Sequence, residues 1–407
     1  MSALLRAQWV VPIVSPPVPD GAVVVENGLI ADVGPAHLLS RRHHRAQHID
    51  LGRAAIFPGL INAHTHLELA SLGNMPPPPG GLPEWIIELR RRRNEAQKPG
   101  FAAEAVRMGV EQCLRFGVTA VGDVSLYCNE TRAALAASPL RAVSFGEVLA
   151  LGPACAHTDD QIRNALDAAH ASSRLRIGIG PHAPYTVKPE VYRRCLRLAG
   201  EHGAMLATHL AETPFEREFL AGHSGPLRVM WERISTFDSR GLEPFAGGPI
   251  RYAGALGLLD ERVLLAHVNC CDDGELEVLA RGRASVVWCP RTHRYFGHRP
   301  HRWRDMLAAG INVALGTDSC ASAPDLNVLA DLRLVHASAG DVAPAMLWEM
   351  VTVRAARALG MEKAGFLAPG ALADLAVFPS GGADPLRYVL EEQSLPVQVW
   401  IDGARVR

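Results

Sequence analysis

The 407-residue chain is almost without lysine. Its basic residues are nearly all arginine, and the only lysines are Lys98, Lys188 and Lys363. It has no surplus of charge either: 41 basic against 42 acidic residues leave a net charge of −1. That argues against a nucleic-acid or membrane-surface partner recruited by bulk charge. No run of about eighteen apolar residues occurs, so no membrane-spanning helix is expected. Met1 to Pro12 lacks a long apolar core followed by a small-residue cleavage site, so no secretory signal is expected. The eight cysteines (113, 128, 155, 195, 270, 271, 289 and 320) form no Cys-x-x-Cys pair. This excludes a zinc ribbon and a small disulfide scaffold, and makes free thiols in a reducing cytoplasm the expectation. There is no repeat of fixed period and no low-complexity tail.

What is present is a large reserve of core. Hydrophobic residues make up 48% and charged residues 20%, enough for one large barrel plus a smaller unit, or for two to three ordinary domains. The ends read as β. Asn27-Gly28, between Val23–Glu26 and Leu29–Ala31, signals a hairpin, and Ala373–Phe378, Val397–Ile401 and the turn Asp402-Gly403 follow the same logic. Between the ends, eight strand-like runs alternate with helical stretches: Ala54–His64, Val118–Val124, Leu140–Leu149, Leu175–Gly180, Ala204–Leu210, Arg262–Val268, Ala284–Cys289 and Ile311–Gly316. That alternation predicts an α/β fold, a closed parallel (β/α)8 or TIM barrel. Residues 57–365 would form the barrel, and residues 1–56 and 366–407 a small composite β-sandwich. Two long loops are expected, Gly73–Gly81 with its four prolines and Thr213–Leu256.

Chemistry gathers at the strand ends. The first strand ends in His64-Thr65-His66. Residues i and i+2 of a strand point the same way, so both imidazoles can meet at one point. A bare His-x-His is more often an ordinary surface or core pair; here it ends a buried-looking strand. Later strands end in Pro181-His182-Ala183-Pro184-Tyr185, His209-Leu210-Ala211-Glu212, His267-Val268-Asn269 and Gly316-Thr317-Asp318-Ser319. Five of eight strands thus end in His, Asp or Glu, where such barrels carry their catalytic groups. Any one of these alone reads as a hydrogen-bonded loop residue; the joint pattern does not. Three histidines and one aspartate can hold a divalent ion and leave a position for water. Glu212 and His267 then remain for proton transfer.

These motifs, with Pro58-Gly59-Leu60-Ile61-Asn62-Ala63 before the first histidine, resemble the amidohydrolase superfamily over nearly the whole chain. The likeness is to its aminohydrolase branch: S-adenosylhomocysteine/methylthioadenosine, guanine and aminodeoxyfutalosine deaminases and triazine hydrolases. The resemblance implies one divalent metal, usually zinc and sometimes iron, on His64, His66, His209 and Asp318. Binuclear relatives usually carry a carboxylated lysine on strand 4, and Leu175–Pro181 has none. It implies that Asp318 takes a proton from the activated water, His267 steers that water, and Glu212 protonates a substrate ring nitrogen. It implies that His182 contacts a small-molecule substrate. Glu68, Trp85, Arg291 and His293 are further candidate contacts, with a helix cap, core packing and a loop salt bridge as the plainer readings of Glu68, Trp85 and Arg291/His293. The expected reaction is hydrolytic deamination of an adenine-type nucleoside: aminodeoxyfutalosine, S-adenosylhomocysteine, methylthioadenosine or adenosine. A ring-opening cyclic-amide or imidazolone hydrolase, a triazine-type chlorohydrolase and a non-catalytic binding barrel are the alternatives. Relatives are often dimeric or larger, so a homo-oligomer is open.

Overall fold

Asn27 and Gly28 take left-handed backbone angles, φ 51° and 79°, as an Asn-Gly hairpin turn requires. In the computed structural model, which describes residues 2–407, strand β1 is Ser2–Val10, and the turn joins β2 (Val18–Glu26) to β3 (Leu29–Pro35). Two more short strands follow, β4 (Gln47–Asp50) and β5 (Ala54–Pro58). β1 pairs antiparallel with β2 and parallel with β4 and β5.

At Gly59 the chain leaves this sheet. The run read from sequence as one strand, Ala54–His64, is two: β5 stays in the sheet and β6 (Leu60–Thr65) opens the barrel. A Cβ at Gly59 would lie 2.1 Å from Thr119 Oγ1, so only glycine fits the crossing. The barrel continues through β7 (Val118–Ser125), β8 (Arg141–Val148), β9 (Leu175–Pro181), β10 (Met205–Leu210), β11 (Val263–His267), β12 (Ser285–Trp288) and β13 (Val313–Leu315), hydrogen-bonded in sequence order. All pairs are parallel, and apart from the first, these strands are the expected ones. Inside, Ala63, Phe145, Ala207, Leu264 and Ala314 share one buried cluster with Ala355 and Leu359. Period two carries that inner side upward, from Phe145 to Glu147, from Ala207 to His209 and from Ala314 to Asp318.

The ring closes where β13 meets β6, with Thr65 bridged in parallel to Asp318. The amides of Thr317 and Asp318 both donate to the carbonyl of His64 at 3.1 Å. Asn62 grips Thr317 from both sides, donating to its Oγ1 at 2.7 Å and accepting its amide at 3.0 Å. A Cβ at Gly316 would sit 2.7 Å from the His64 carbonyl oxygen and 2.9 Å from its Cβ. Gly316→Ala must therefore push β13 off β6. It is expected to cost about 1–3 kcal/mol in urea unfolding, as overpacking does.

The C-terminal strands β14 (Leu375–Pro379), β15 (Gln398–Ile401) and β16 (Ala404–Arg405) rejoin the first sheet through β14 against β5. The two chain ends thus build one mixed sheet whose Leu5, Val23, Ile56, Val377 and Trp400 share a core. A buried ion pair, Arg141 Nε to Asp374 Oδ2 at 2.5 Å, ties it to β8. The stretch Thr213–Leu256, expected as a long loop with a helical segment at Glu216–Leu220, carries that helix as Phe215–Gly222 and two further ones, Gly225–Ile234 and Pro249–Ala255. A helix not expected from sequence, Leu82–Ala96, lies just beyond Gly73–Gly81. Its Arg-rich text obscured Leu82, Trp85, Ile86 and Leu89, an i, i+3, i+4, i+7 apolar stripe. Arg91 pairs with Glu88 and Glu95 on its outer face. No helix among the described residues is long and apolar enough to cross a membrane.

Candidate active site

His64, His66, His209, His267 and Asp318 converge over the mouth of the barrel. Three local devices bring them there. β6 shifts register against β7 between Asn62 and Thr65, which brings both His64 and His66 to the centre. His209 follows the inner side of β10. His267 and Asp318 turn inward on left-handed backbone, φ 72° and 59°, and Ala211 and Val268 are left-handed beside them, each at φ 50°. Such angles at non-glycine residues cost of order 1–3 kcal/mol each and are held only where the surroundings enforce them.

The donor atoms face one another. His66 Nε2 is 3.2 Å from His209 Nε2 and 3.5 Å from Asp318 Oδ1, and His64 Nε2 is 3.8 Å from the same oxygen. His209 Nδ1 donates to the His182 carbonyl at 3.1 Å, and His66 bonds the backbone of Val124. A ring whose Nδ1 proton is spent on a carbonyl presents the Nε2 lone pair, as a metal ligand does. Burial, reinforced by the neighbouring imidazoles, drives His64 and His66 well below the ordinary histidine range and His209 to about 4, so the rings stand neutral. Both nitrogens of buried His64 lack a partner among the described residues. That is a costly arrangement for polar atoms unless a cation completes it. The donor set of imidazoles and one carboxylate fits a divalent metal, and no lysine lies on β9.

Two buried carboxyls and His267 adjoin this cluster. Glu212 Oε1 lies 3.5 Å from His267 Nε2. Burial, with Asp318 and Glu216 nearby, pushes Glu212 well above the usual carboxylate range. Burial lifts Asp318 to about 6 against the pull of Ser322, whose hydroxyl donates to it at 2.7 Å. The Glu212 backbone is clamped: Glu216 accepts its amide at 3.2 Å and that of Ala211 at 2.9 Å, and Asn269 donates to its carbonyl at 3.1 Å. His301 donates from Nε2 to the His267 carbonyl at 2.9 Å.

The cavity over these groups is lined by Glu68, Trp85 and His182 among the expected contacts. Trp85 lines it with its ring edge-to-face on Phe296, 5.7 Å away. The Glu68 carboxylate is already consumed by Ser125 Oγ at 2.7 Å, the Tyr127 amide at 3.0 Å and Arg93 at 3.4 Å. Two expected contacts are corrected. Arg291 does not line the cavity; Asp331 and Asp325 hold its guanidinium at 2.8 and 2.6 Å, the salt bridge that was its plainer reading. His293 also stands behind the wall, its Nδ1 3.0 Å from Asn269 Oδ1, so it supports the residue that supports Glu212. The sequence reading missed Arg90, Arg93 and Glu147, which line the same cavity. Glu147 was within reach of the rule that found the others, since it lies near the end of β8 on the inner side. A larger groove of about 1270 Å³ lies outside, meeting the cavity at Leu82 and Met230, and it contains none of the clustered histidines.

A model of the Amidohydrolase family matches residues 55–406. The chain belongs to the amidohydrolase family. It is a hydrolase acting on carbon–nitrogen bonds. It is 31% identical, over 88% of its length and 79% of the relative's, to 5-methylthioadenosine/S-adenosylhomocysteine deaminase of Nitratidesulfovibrio vulgaris. It is 32% identical to aminodeoxyfutalosine deaminase of Deinococcus radiodurans over 76% of this chain and 74% of that one. Among solved structures, an adenosine deaminase from Xanthomonas campestris with bound zinc superposes with a TM-score of 0.81, at 24% identity, covering 99% of this chain and 92% of that chain.

Proposed function

We propose that this amidohydrolase is a metal-dependent hydrolytic deaminase of an adenine-type nucleoside, releasing ammonia. The observation that carries the reading is the buried Glu212 carboxyl beside His267, facing the His64–His66–His209–Asp318 cluster. Those four residues would hold one divalent ion, zinc by the borderline-soft character of three imidazoles and a carboxylate and by the zinc in the Xanthomonas neighbour. When bound, the ion supplies Lewis acidity that brings the pKa of a water down to about 7.

The side chains then divide the proton work. In adenine the reacting carbon, C6, carries the amino group and adjoins N1. Addition of water oxygen to C6 builds negative charge on N1, and Glu212, kept protonated by burial, delivers a proton there. Asp318 accepts one proton of the attacking water, and neutral His267 holds that water by hydrogen bonding. As the C6–N bond breaks, Asp318 returns its proton to the departing amine and the C6 hydroxyl proton restores Glu212. The atoms balance: one water enters, a C6 carbonyl and N1–H remain, and ammonia leaves. The eight cysteines are free, in keeping with a cytoplasmic enzyme.

The test is ammonia release by zinc-loaded protein from aminodeoxyfutalosine, S-adenosylhomocysteine, methylthioadenosine, adenosine, guanine and cytosine. At least one adenine nucleoside is expected to reach a kcat/KM on the order of 10⁴ M⁻¹s⁻¹ or more. Silence with every adenine nucleoside, from protein that retains its metal, overturns the deaminase reading in favour of ring opening.

A further inference from the structure

His301 lines neither the cavity nor the outer groove, yet it reaches the active site through one atom. Its Nε2 meets the backbone carbonyl of His267 at 2.9 Å. A carbonyl oxygen only accepts, so Nε2 carries the proton and His301 is the donor. The other ring nitrogen, Nδ1, is buried without a partner among the described residues. Burial pushes the ring down to about 3, so it stands neutral with that lone pair bare. An unpaired buried acceptor is a cost that an apolar ring of similar shape would avoid. Packing therefore does not account for the imidazole; the one bond it makes does.

That bond falls where the barrel lets go of the chain. β10 pairs with β11 as far as Leu210 and His267, but the ladder from β11 to β12 ends one residue sooner, at Ala266 and Val287. The backbone is then left-handed twice in succession, φ 72° at His267 and 50° at Val268. At a β-branched residue such as Val268 that conformation is rare, and it persists only where the surroundings enforce it. The peptide unit between the two residues is held at both ends. Its amide, from Val268, donates to the carbonyls of Leu210 at 3.0 Å and Ala266 at 3.1 Å. Its carbonyl, from His267, is taken by His301. The His301 ring has little freedom of its own. It is stacked on Trp288, with centroids 4.8 Å apart and planes at 12°, and the His293 ring stands edge-on to it at 5.8 Å. Trp288 is the last residue of β12, so the barrel wall fixes His301 and His301 fixes the peptide.

We propose that His301 is a positioning residue: by holding the peptide between His267 and Val268, it aims the His267 imidazole at the attacking water and at Glu212, 3.5 Å away. This rests on the deaminase reading above, in which His267 holds that water. Without the bond the peptide is free to turn toward ordinary backbone angles and to carry the ring with it. A misplacement of about 1 Å costs on the order of 10²-fold in rate. His267 acts on the water and not on the nucleoside, so the loss falls on kcat rather than KM.

The experiment measures kcat and KM on the best nucleoside of the panel for zinc-loaded wild type, His301→Phe, His301→Gln and His301→Met, with zinc content and melting temperature on each. His301→Phe keeps a ring against Trp288 and removes the donor. His301→Gln keeps an N–H donor at similar reach and removes the ring. His301→Met matches glutamine in length and has neither. His301→Phe and His301→Met are expected to lose roughly 10²-fold in kcat at unchanged KM, with zinc retained, and His301→Gln to recover most of that loss. Should His301→Phe fail to fold, His301→Gln against His301→Met decides. Wild-type kcat in His301→Phe, a loss confined to KM, or His301→Gln no better than His301→Met overturns the assignment and leaves the deaminase intact. Wild type silent on every adenine nucleoside overturns the deaminase reading and this assignment with it.

Discussion

Glu212→Gln is expected to lose roughly 10³–10⁴-fold in kcat while keeping its metal and its fold, near the upper range of what a positioned acid–base group contributes. The substitution preserves shape and hydrogen-bonding reach but removes the transferable proton. Its backbone setting is independent of the side chain: Glu216 holds the amide and Asn269 the carbonyl. Glutamine should therefore occupy the same place, 3.5 Å from His267 in the native protein. Burial favours the neutral form of the native acid, so exchanging it for a neutral amide introduces no new buried charge, and stability should change by less than about 1 kcal/mol. The measurement is single-turnover ammonia release alongside elemental analysis. Activity within tenfold of wild type would remove Glu212 from the proton path and leave His267 as the acid to examine.

How far the sequence disclosed this site follows from which constraints are local. His64, His66, His209, Glu212, His267 and Asp318 were legible because chain order alone places them at strand ends, and barrels put chemistry there. The barrel itself was legible because buried parallel strands read as short continuous apolar runs between helical stretches. Arg291 and His293 have the same local credentials, just after β12, yet both are turned away. What decides them is Asp331, Asp325 and Asn269, partners 24 to 40 positions distant, and no local pattern encodes such pairings. The split at Gly59 was hidden for a similar reason: both flanking strands are fully buried, and the glycine is required by Thr119 across the sheet rather than by a turn. Glu147 was overlooked because β8 continues apolar around it, although the inner-side parity that selects His209 selects it equally.

The second large effect concerns the metal. His64→Ala and Asp318→Ala are each expected to purify without the ion and to show no measurable deamination, and added zinc should restore neither. His64 is the stricter case. It is 1% exposed, neither ring nitrogen has a partner among the described residues, and its carbonyl is also the acceptor that closes the barrel. The backbone role survives truncation, so the loss of metal should not be a loss of fold. Wild type treated with a chelator should lose activity and regain it on zinc addition. A ligand that binds only the native state stabilises it by about 2.7 kcal/mol at a hundredfold excess over Kd, so wild type should melt higher with zinc than without, and His64→Ala should melt at one temperature in both. His293→Ala serves as the contrast: it lies behind Asn269 rather than in the cluster and should keep both the ion and the zinc-dependent shift. Full zinc content in His64→Ala would move the ion from this cluster to the neighbouring Glu147–His182–His209 group.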